Sequence, residues 1–226
     1  MADPYATQAP DLSGRPTGPP AWEAALAGRA GAVLGSDPAG IDRGARLLVV
    51  HCRGVGTLAP VARLSAALAT LLWLEHTPSS RSAANGNALL AGLREVKAPI
   101  LAIKQGCVGG PADRPGCLAI EAELIEAVLD GVVAASVVWE PDPDFGYEVP
   151  GEVPGVEGAP ARALLPRLLY GDHDRVYEHA DLVARKKRER HEIAQGLPGL
   201  DLAVTAAAGW PPRATNWRSG AAAEPR

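Results

Sequence analysis

Short apolar runs alternate with helical repeats over residues 46–140 of the sequence. Residues 46–52 and 99–103 are mostly apolar, and glycines follow each run within a few positions. Short runs of this kind are typical of strands that are buried on both faces of a sheet. The pattern therefore predicts strands at both runs, and a third strand at residues 132–139.

Apolar residues spaced three or four positions apart predict the helices. The spacing is regular in residues 61–74 and 118–129, and Pro60 stands just before the first segment, where a missing N–H does no harm. A polar connection is predicted at residues 77–86. Further helices are predicted at residues 21–34, 87–96 and 173–193.

The predicted elements form one α/β domain over residues 21–195. Residues 1–20 are polar and rich in proline, which predicts a disordered leader, and residues 196–226 are expected to form a mostly irregular tail. Prolines recur between residues 141 and 166, where they are expected to exclude a regular helix or a central strand. We therefore expect an irregular segment across the core in that region.

Composition narrows the class of protein. The chain has 226 residues, of which 47% are hydrophobic and 4% aromatic, so it suits one domain with a core of Ala, Leu and Val side chains. Nucleic-acid binding needs a basic face, which a net charge of −4 does not suggest. No apolar run reaches the length of a membrane span. Because signal-peptide features are also missing, we predict a cytoplasmic protein with no nucleic-acid or membrane partner.

The cysteines predict reduced, buried thiols rather than a disulfide framework or a zinc site. Cys52, Cys107 and Cys117 contain no CxxC pair and leave an odd number. His51 adjoins Cys52, but neighbouring strand residues point to opposite faces of a sheet, so a convergent catalytic pair is not expected. A packed histidine is the favoured interpretation of His51.

A glycine-rich loop follows the second predicted strand, at residues 106–116. Glycines let backbone N–H groups approach an anion, and the start of a helix favours negative charge. The chain contains no GxxxxGK[ST] motif, so no lysine is placed to neutralise the outer phosphates of a nucleotide. A structural turn is therefore favoured over a phosphate site, although Lys104 and Arg114 are cations near this loop.

Two charged clusters each have a functional and a structural interpretation. A set of carboxylates in the proline-rich region could bind Mg²⁺, but solvated acids in a loop are the favoured interpretation. The set comprises Asp142, Asp144, Glu148 and Glu152. The basic run at residues 185–190 could bind phosphate or an acidic partner, whereas a solvated helix face is more common. We assign no metal ligand and no catalytic residue.

Three segments, in order, resemble the C-terminal part of the ATP-type phosphoenolpyruvate carboxykinase family. Residues 48–64 are similar to a family strand followed by a G-V-L-P-P-V turn and a helix. Residues 103–131 are similar to a Gly-Gly turn and a helix that closes in Leu-Asp-Gly. Residues 142–167 are the most specific, because they resemble D-P-x-F-G-x-x-V-P, x-P-G-V and L-N-P-R in succession.

The resemblance implies a partial P-loop-type nucleotide-binding domain of the carboxykinase C-terminal type. Enzymes of the family convert oxaloacetate and ATP into phosphoenolpyruvate, CO₂ and ADP, with Mg²⁺ and Mn²⁺ as metals. Carried over to this chain, the family pattern implies nucleotide contacts from Gly109, Gly110 and Arg114. It also implies a substrate contact from Arg81.

The sequence departs from the family at positions that the chemistry needs. The family's N-terminal domain, phosphate loop and metal-binding Lys and His precede the first segment, and residues 1–45 contain no motif for them. Arg53 stands at a family Asp, and Glu121 and Ala122 stand at a family Thr-Arg pair, so Glu121 would repel a triphosphate. We therefore expect a truncated protein that is inactive alone and binds neither ATP nor its metals tightly.

Two alternatives remain open at the level of sequence. One is a non-catalytic binding or regulatory protein built on the same half-domain. The other is one half of a split enzyme, in which a protein partner supplies the missing half-domain.

Overall fold

The structure, a computed structural model, describes residues 21–52, 59–104, 107–109, 118–172 and 174–209. The strands within these residues are β1 (Gly31–Val33), β2 (Leu47–Cys52), β3 (Val61–Leu64), β4 (Ile100–Lys104), β5 (Cys107–Val108), β6 (Leu118–Ala119), β7 (Val138–Pro141) and β8 (Glu148–Glu152). The α-helices are α1 (Ala21–Gly28), α2 (Ala66–His76), α3 (Ala83–Glu95), α4 (Ala122–Val133), α5 (Gly158–Ala163), α6 (Pro166–Asp172), α7 (Val176–Gln195) and α8 (Leu202–Ala207).

A mixed six-stranded sheet forms the centre of the described structure. Its strands lie side by side in the order β1-β2-β4-β3-β8-β7, while β5 and β6 form a separate hairpin. β1, β2 and β4 are parallel, and each of the remaining neighbours pairs antiparallel. The predicted α/β class is confirmed, and β2 and β4 lie within one residue of the predicted strands.

Helices cover both faces of this sheet because side chains alternate along each central strand. On β2, Leu48 and Val50 pack in a cluster with residues of α2, α3, α7 and α8. Leu47 and Val49 point the other way and pack with residues of α1, α4, α5 and α6. The central strands are therefore buried on both sides, which explains why they are almost continuously apolar.

The helix predicted at residues 61–74 is wrong in its first turn. The structure has strand β3 over Val61–Leu64, between β4 and β8 in the sheet, and only then α2. The Oγ of Ser65 accepts a hydrogen bond from the Leu68 N–H at 3.2 Å and so caps the start of the helix. A short strand buried on both faces has no alternation to distinguish it from a helical run, which is why the pattern misled.

Two further boundaries differ from the prediction. The helix predicted at residues 21–34 ends at Gly28 and is followed by the edge strand β1. The strand predicted at residues 132–139 starts only at Val138, because α4 continues to Val133. At the first boundary the glycines at 28 and 31 were given too little weight as helix breakers, whereas at the second Gly131 was taken to end a helix that in fact continues through it.

The expectation that prolines keep residues 141–166 irregular is also wrong. β8 contains Pro150 and belongs to the main sheet, and α6 begins at Pro166. Pro150 pairs opposite Trp139, beside a register irregularity in β7. Prolines are tolerated at strand irregularities and at the first position of a helix, so each lies where its missing N–H is harmless.

The domain extends past the predicted boundary at residue 195, because α8 packs on it. Asp201 caps α8, since its Oδ1 accepts a hydrogen bond from the Ala203 N–H at 2.7 Å. Val204 of α8 is fully buried in the cluster that contains α2. The predicted leader at residues 1–20 and residues 210–226 lie outside the described residues. Among the helices of the described ranges, none is both long and apolar enough to cross a lipid bilayer.

Candidate functional site

The carboxyl ends of β2 and β4 define the candidate site. Cys52 and Lys104, the last residues of these parallel strands, lie opposite each other in the register. In open α/β sheets, ligands bind outside the carboxyl ends of parallel strands. The chain continues from these strands into residues 53–58 and 105–106, which lie outside the described residues.

Arg81, the predicted substrate contact, binds the end of α2. Its Nε donates to the Leu74 carbonyl at 2.8 Å, and its Nη2 donates to the Glu75 carbonyl at 3.1 Å. Carbonyls in the last turn of a helix have no partner within the helix, and cations near them are favoured by the helix dipole. Arg81 thus has a structural use in the described protein, and its contact with a substrate stays a prediction.

Gly109, the predicted nucleotide contact, is held by Arg175. Its carbonyl accepts a hydrogen bond from Arg175 Nη1 at 2.7 Å, and its φ of +91° lies in the region that favours glycine. Arg175 also pairs with Glu178 and lies over the ring of Tyr170. The predicted nucleotide contacts Gly110 and Arg114 lie outside the described residues.

Lys104 supports the same hairpin by a hydrogen bond to β5. Its side chain is buried at 1% exposure, and its Nζ donates to the Cys107 carbonyl at 2.8 Å. Burying an ammonium group is unfavourable unless hydrogen bonds compensate it. The lysine that the sequence places near the glycine-rich loop therefore fixes the backbone where β5 begins.

A buried ion cluster of Glu75, Lys186 and Arg190 joins α2 to α7. Lys186 Nζ lies 2.6 Å from Glu75 Oε1, and Arg190 Nε lies 3.0 Å from Glu75 Oε2. The side chains of Glu75 and Arg190 are only 7% and 2% exposed. Burial raises the pKa of Glu75, but the charges of Arg190 and Lys186 lower it by more, so the pKa falls from 4.5 to about 2.

Sequence reasoning missed this cluster because it treated residues 185–190 as one solvated basic run. The structure divides the run: Arg185 and Arg188 are exposed, whereas Arg190 is buried and its guanidinium lies 4.8 Å from the centre of the Phe145 ring. The available signal was Glu75, the one acidic residue in the mostly apolar α2. A buried carboxylate needs a partner cation, although the sequence does not say which one.

The carboxylates considered for Mg²⁺ do not come together. Asp142 Oδ1 accepts hydrogen bonds from the Asp144 and Phe145 N–H groups. Glu148 Oε2 pairs with Arg63 Nε at 2.6 Å. Asp144 Oδ2 lies 4.0 Å from Nδ1 of His179. No group of three or more His, Cys, Asp or Glu side chains suited to a metal ion exists among the described residues. These residues therefore do not fit the Mg²⁺ or Mn²⁺ that the family resemblance implies.

Cys52 and His51 diverge, as the alternation of strand side chains predicts. Cys52 is buried in the cluster that contains α2, whereas the His51 ring meets Trp22 edge-on, with ring centres 5.3 Å apart, on the α1 side. Burial raises the pKa of the Cys52 thiol to about 12. A thiol with this pKa has almost no thiolate near neutral pH, so it is a poor nucleophile.

We expect Cys52 to resist alkylation in the folded protein. Because both burial and the raised pKa suppress its thiolate, iodoacetamide should label Cys52 at least about a hundredfold more slowly than it does in urea. Peptide mass spectrometry of labelled samples measures the rate site by site, and the partly exposed Cys107 serves as the internal control. Equal labelling rates for Cys52 in native buffer and in urea would contradict the buried position.

The fold and this edge define an α/β protein of a kind compatible with nucleotide binding. The sequence is 28% identical over 192 residues to a protein of Cereibacter sphaeroides named phosphoenolpyruvate carboxykinase (ATP). The match covers 72% of this chain and 35% of that protein, so the chain spans about a third of the length of the curated relative it matches. No protein-family model matches the sequence. The similarity supports a distant relationship to phosphoenolpyruvate carboxykinases.

Proposed function

We propose that this protein is a phosphoenolpyruvate carboxykinase (ATP)-like α/β protein that does not convert oxaloacetate by itself. One observation carries the proposal: Arg81, the described side chain that the family pattern assigns to the substrate, is engaged within the protein. Its guanidinium donates to the carbonyls at the end of α2. Residues held in this way support the scaffold of the sheet edge.

The chemistry of phosphoryl transfer gives the second argument. This reaction depends almost entirely on positioning and on cations that neutralise developing charge. At the described edge, Lys104, Lys186 and Arg190 are all directed to partners inside the protein. A cation that already balances a buried carboxylate is a weak source of charge for a triphosphate.

The purified 226-residue chain is expected to yield no phosphoenolpyruvate above the enzyme-free blank. The assay contains oxaloacetate, ATP, Mg²⁺ and Mn²⁺, and it measures phosphoenolpyruvate rather than CO₂, because oxaloacetate loses CO₂ spontaneously. Calorimetric titration with Mg-ATP should show no micromolar binding. A bona fide carboxykinase in the same buffers is the positive control, and circular dichroism verifies that the chain is folded.

The outcomes of this assay separate the alternatives. Turnover by the chain alone that is abolished in Arg81→Gln would contradict the proposal. Turnover that arises only when proteins co-purified from the native host are added back would instead favour a split enzyme with a partner chain. That alternative rests on the open edge of the sheet at β1, where Val33 is exposed and another chain could pair with the strand. Micromolar Mg-ATP binding without turnover would favour a regulatory binding protein.

A further inference from the structure

A groove of about 560 Å³ lies between α6 and α7 at the surface of the protein. Leu168 of α6 and Val176 of α7 line it, and these two large apolar side chains are 45% and 60% exposed. Ala180 and Ala184 also line it from α7, and their small side chains leave room beside the helix. An exposed apolar surface of this kind, with polar groups at its rim, marks an interaction site.

Tyr177 projects from the same helix beside this groove. It is 89% exposed, which makes it the most exposed large apolar side chain among the described residues, and it does not line the groove of its own molecule. Ala180 and Ala184 follow it at three and seven positions, so the three residues lie along one side of α7. Tyrosine is a typical anchor of protein interfaces, because its ring is apolar while its hydroxyl can stay hydrated.

A projecting ring and an apolar groove that adjoin on one helix form a surface that complements itself. A two-fold symmetric dimer uses one patch twice, so that each copy contributes both the ring and the groove. When two copies of α7 lie antiparallel, with the symmetry axis between Ala180 and Asp181, Tyr177 and Ala184 are equally far from the axis. Tyr177 of each copy therefore lies opposite Ala184 of the other and can enter its groove.

The charges around the patch fit the same arrangement. Asp174 is exposed just before α7, whereas Lys187 lines the groove towards the other end of the helix. These two residues are also about equally far from the axis, so Asp174 of one copy faces Lys187 of the other, and opposite charges across an interface fix its register. Each acid that lines the groove already faces a basic side chain of its own molecule: Asp172 faces Arg162, and Asp144 faces His179.

We propose that this protein forms a two-fold symmetric dimer in which Tyr177 of each copy packs into the groove between α6 and α7 of the other, with Asp174 facing Lys187. The dimer covers the exposed faces of Leu168 and Val176 in both copies. An interface built on one pair of helices is small, so we expect a dissociation constant of about 1–100 μM. This association goes beyond the proposed function, since it does not depend on whether oxaloacetate is converted.

Sedimentation velocity of the 226-residue chain over a series of concentrations measures the dimer. Tyr177→Glu should raise the dissociation constant at least about tenfold, because it removes the central ring and places a charge against an apolar groove. Tyr177 is exposed at the second position of α7, where an acid suits the helix dipole, so the fold should persist, which circular dichroism verifies.

Leu202→Glu is the matched control for Tyr177→Glu. Leu202 is 84% exposed at the first position of α8 and does not line the groove, so its replacement should leave the dissociation constant unchanged. A chain that stays monomeric at concentrations well above the expected range would overturn the proposal. So would a dimer that Tyr177→Glu leaves intact, or one that Leu202→Glu weakens to the same extent.

A charge reversal tests the antiparallel arrangement of α7. Asp174→Lys and Lys187→Glu should each weaken the dimer, because each places like charges opposite each other. The variant that carries both changes should dimerise more strongly than either single variant, since opposite charges face each other again. A double variant that dimerises no better than the single ones would overturn the arrangement.

Discussion

Replacing Glu75 with Gln should lower the free energy of unfolding by about 3–5 kcal/mol. The substitution keeps the size of the side chain but removes the charge that Lys186 and Arg190 share, at 2.6 and 3.0 Å. Arg190 would then be a buried cation without its counter-charge, and removing one partner of a buried pair is far more harmful than losing a surface pair. Urea unfolding followed by circular dichroism measures the change.

Glu189→Gln is the control for this experiment. Glu189 also pairs with Lys186, at 2.9 Å, but its side chain is 44% exposed. Exposed pairs contribute about 0–1 kcal/mol, so this variant should stay within that range of the unmodified protein. If the two variants unfold at the same urea concentration, burial is not what gives the Glu75 cluster its importance.

The same cluster predicts a pH dependence with a definite sign. The pKa of Glu75 is lowered from 4.5 to about 2 in the folded protein. A group with a lowered folded pKa stabilises fully above its unfolded pKa, and this stabilisation is lost as the pH falls through the folded value. The gap in unfolding free energy between the unmodified protein and Glu75→Gln should therefore be constant above about pH 5 and should shrink towards pH 2.

The residues of the ion cluster also show what the sequence could not provide. Local patterns located β2, β4 and most of the helices, because a buried strand and an amphipathic helix are each encoded within a few neighbouring positions. Glu75 and Arg190 are 115 positions apart, so nothing in either neighbourhood specifies the other. Their pairing depends on how α7 crosses α2, which is a property of the whole fold.

The location of the candidate site could be predicted from the sequence, but the hydrogen bonds of its side chains could not. Strands followed by glycines indicate the carboxyl edge of a sheet, and the structure places Cys52 and Lys104 at that edge. Arg81 was implied as a substrate contact by the family resemblance, yet its guanidinium folds back on the end of α2. A sequence shows that an arginine is available, whereas the direction of its side chain follows from packing.

Replacing Trp73 with Ala should destabilise the protein by about 3–5 kcal/mol. Trp73 is 1% exposed, and every residue from Leu68 to Leu74 in α2 is buried, so this helix is surrounded by the core. The substitution leaves a large cavity that well-packed neighbours can fill only in part. It also removes the indole N–H that donates to the Gly35 carbonyl at 2.7 Å.

Two variants separate the cavity from the hydrogen bond. Trp73→Phe keeps most of the ring but loses the N–H, so it should cost about 1–2 kcal/mol, the typical range for a lost buried hydrogen bond.

Trp139→Ala removes a partly exposed indole from the edge strand β7, where it lies under Arg63 at 4.9 Å, and should cost about 1 kcal/mol. Equal losses for Trp73→Ala and Trp139→Ala in urea unfolding would mean that α2 is not the buried centre of this domain. We expect Trp73→Ala to have a much lower free energy of unfolding than the other two variants. The reason is that α2 lies between the sheet and the helices α3, α7 and α8, which together bury it on every side.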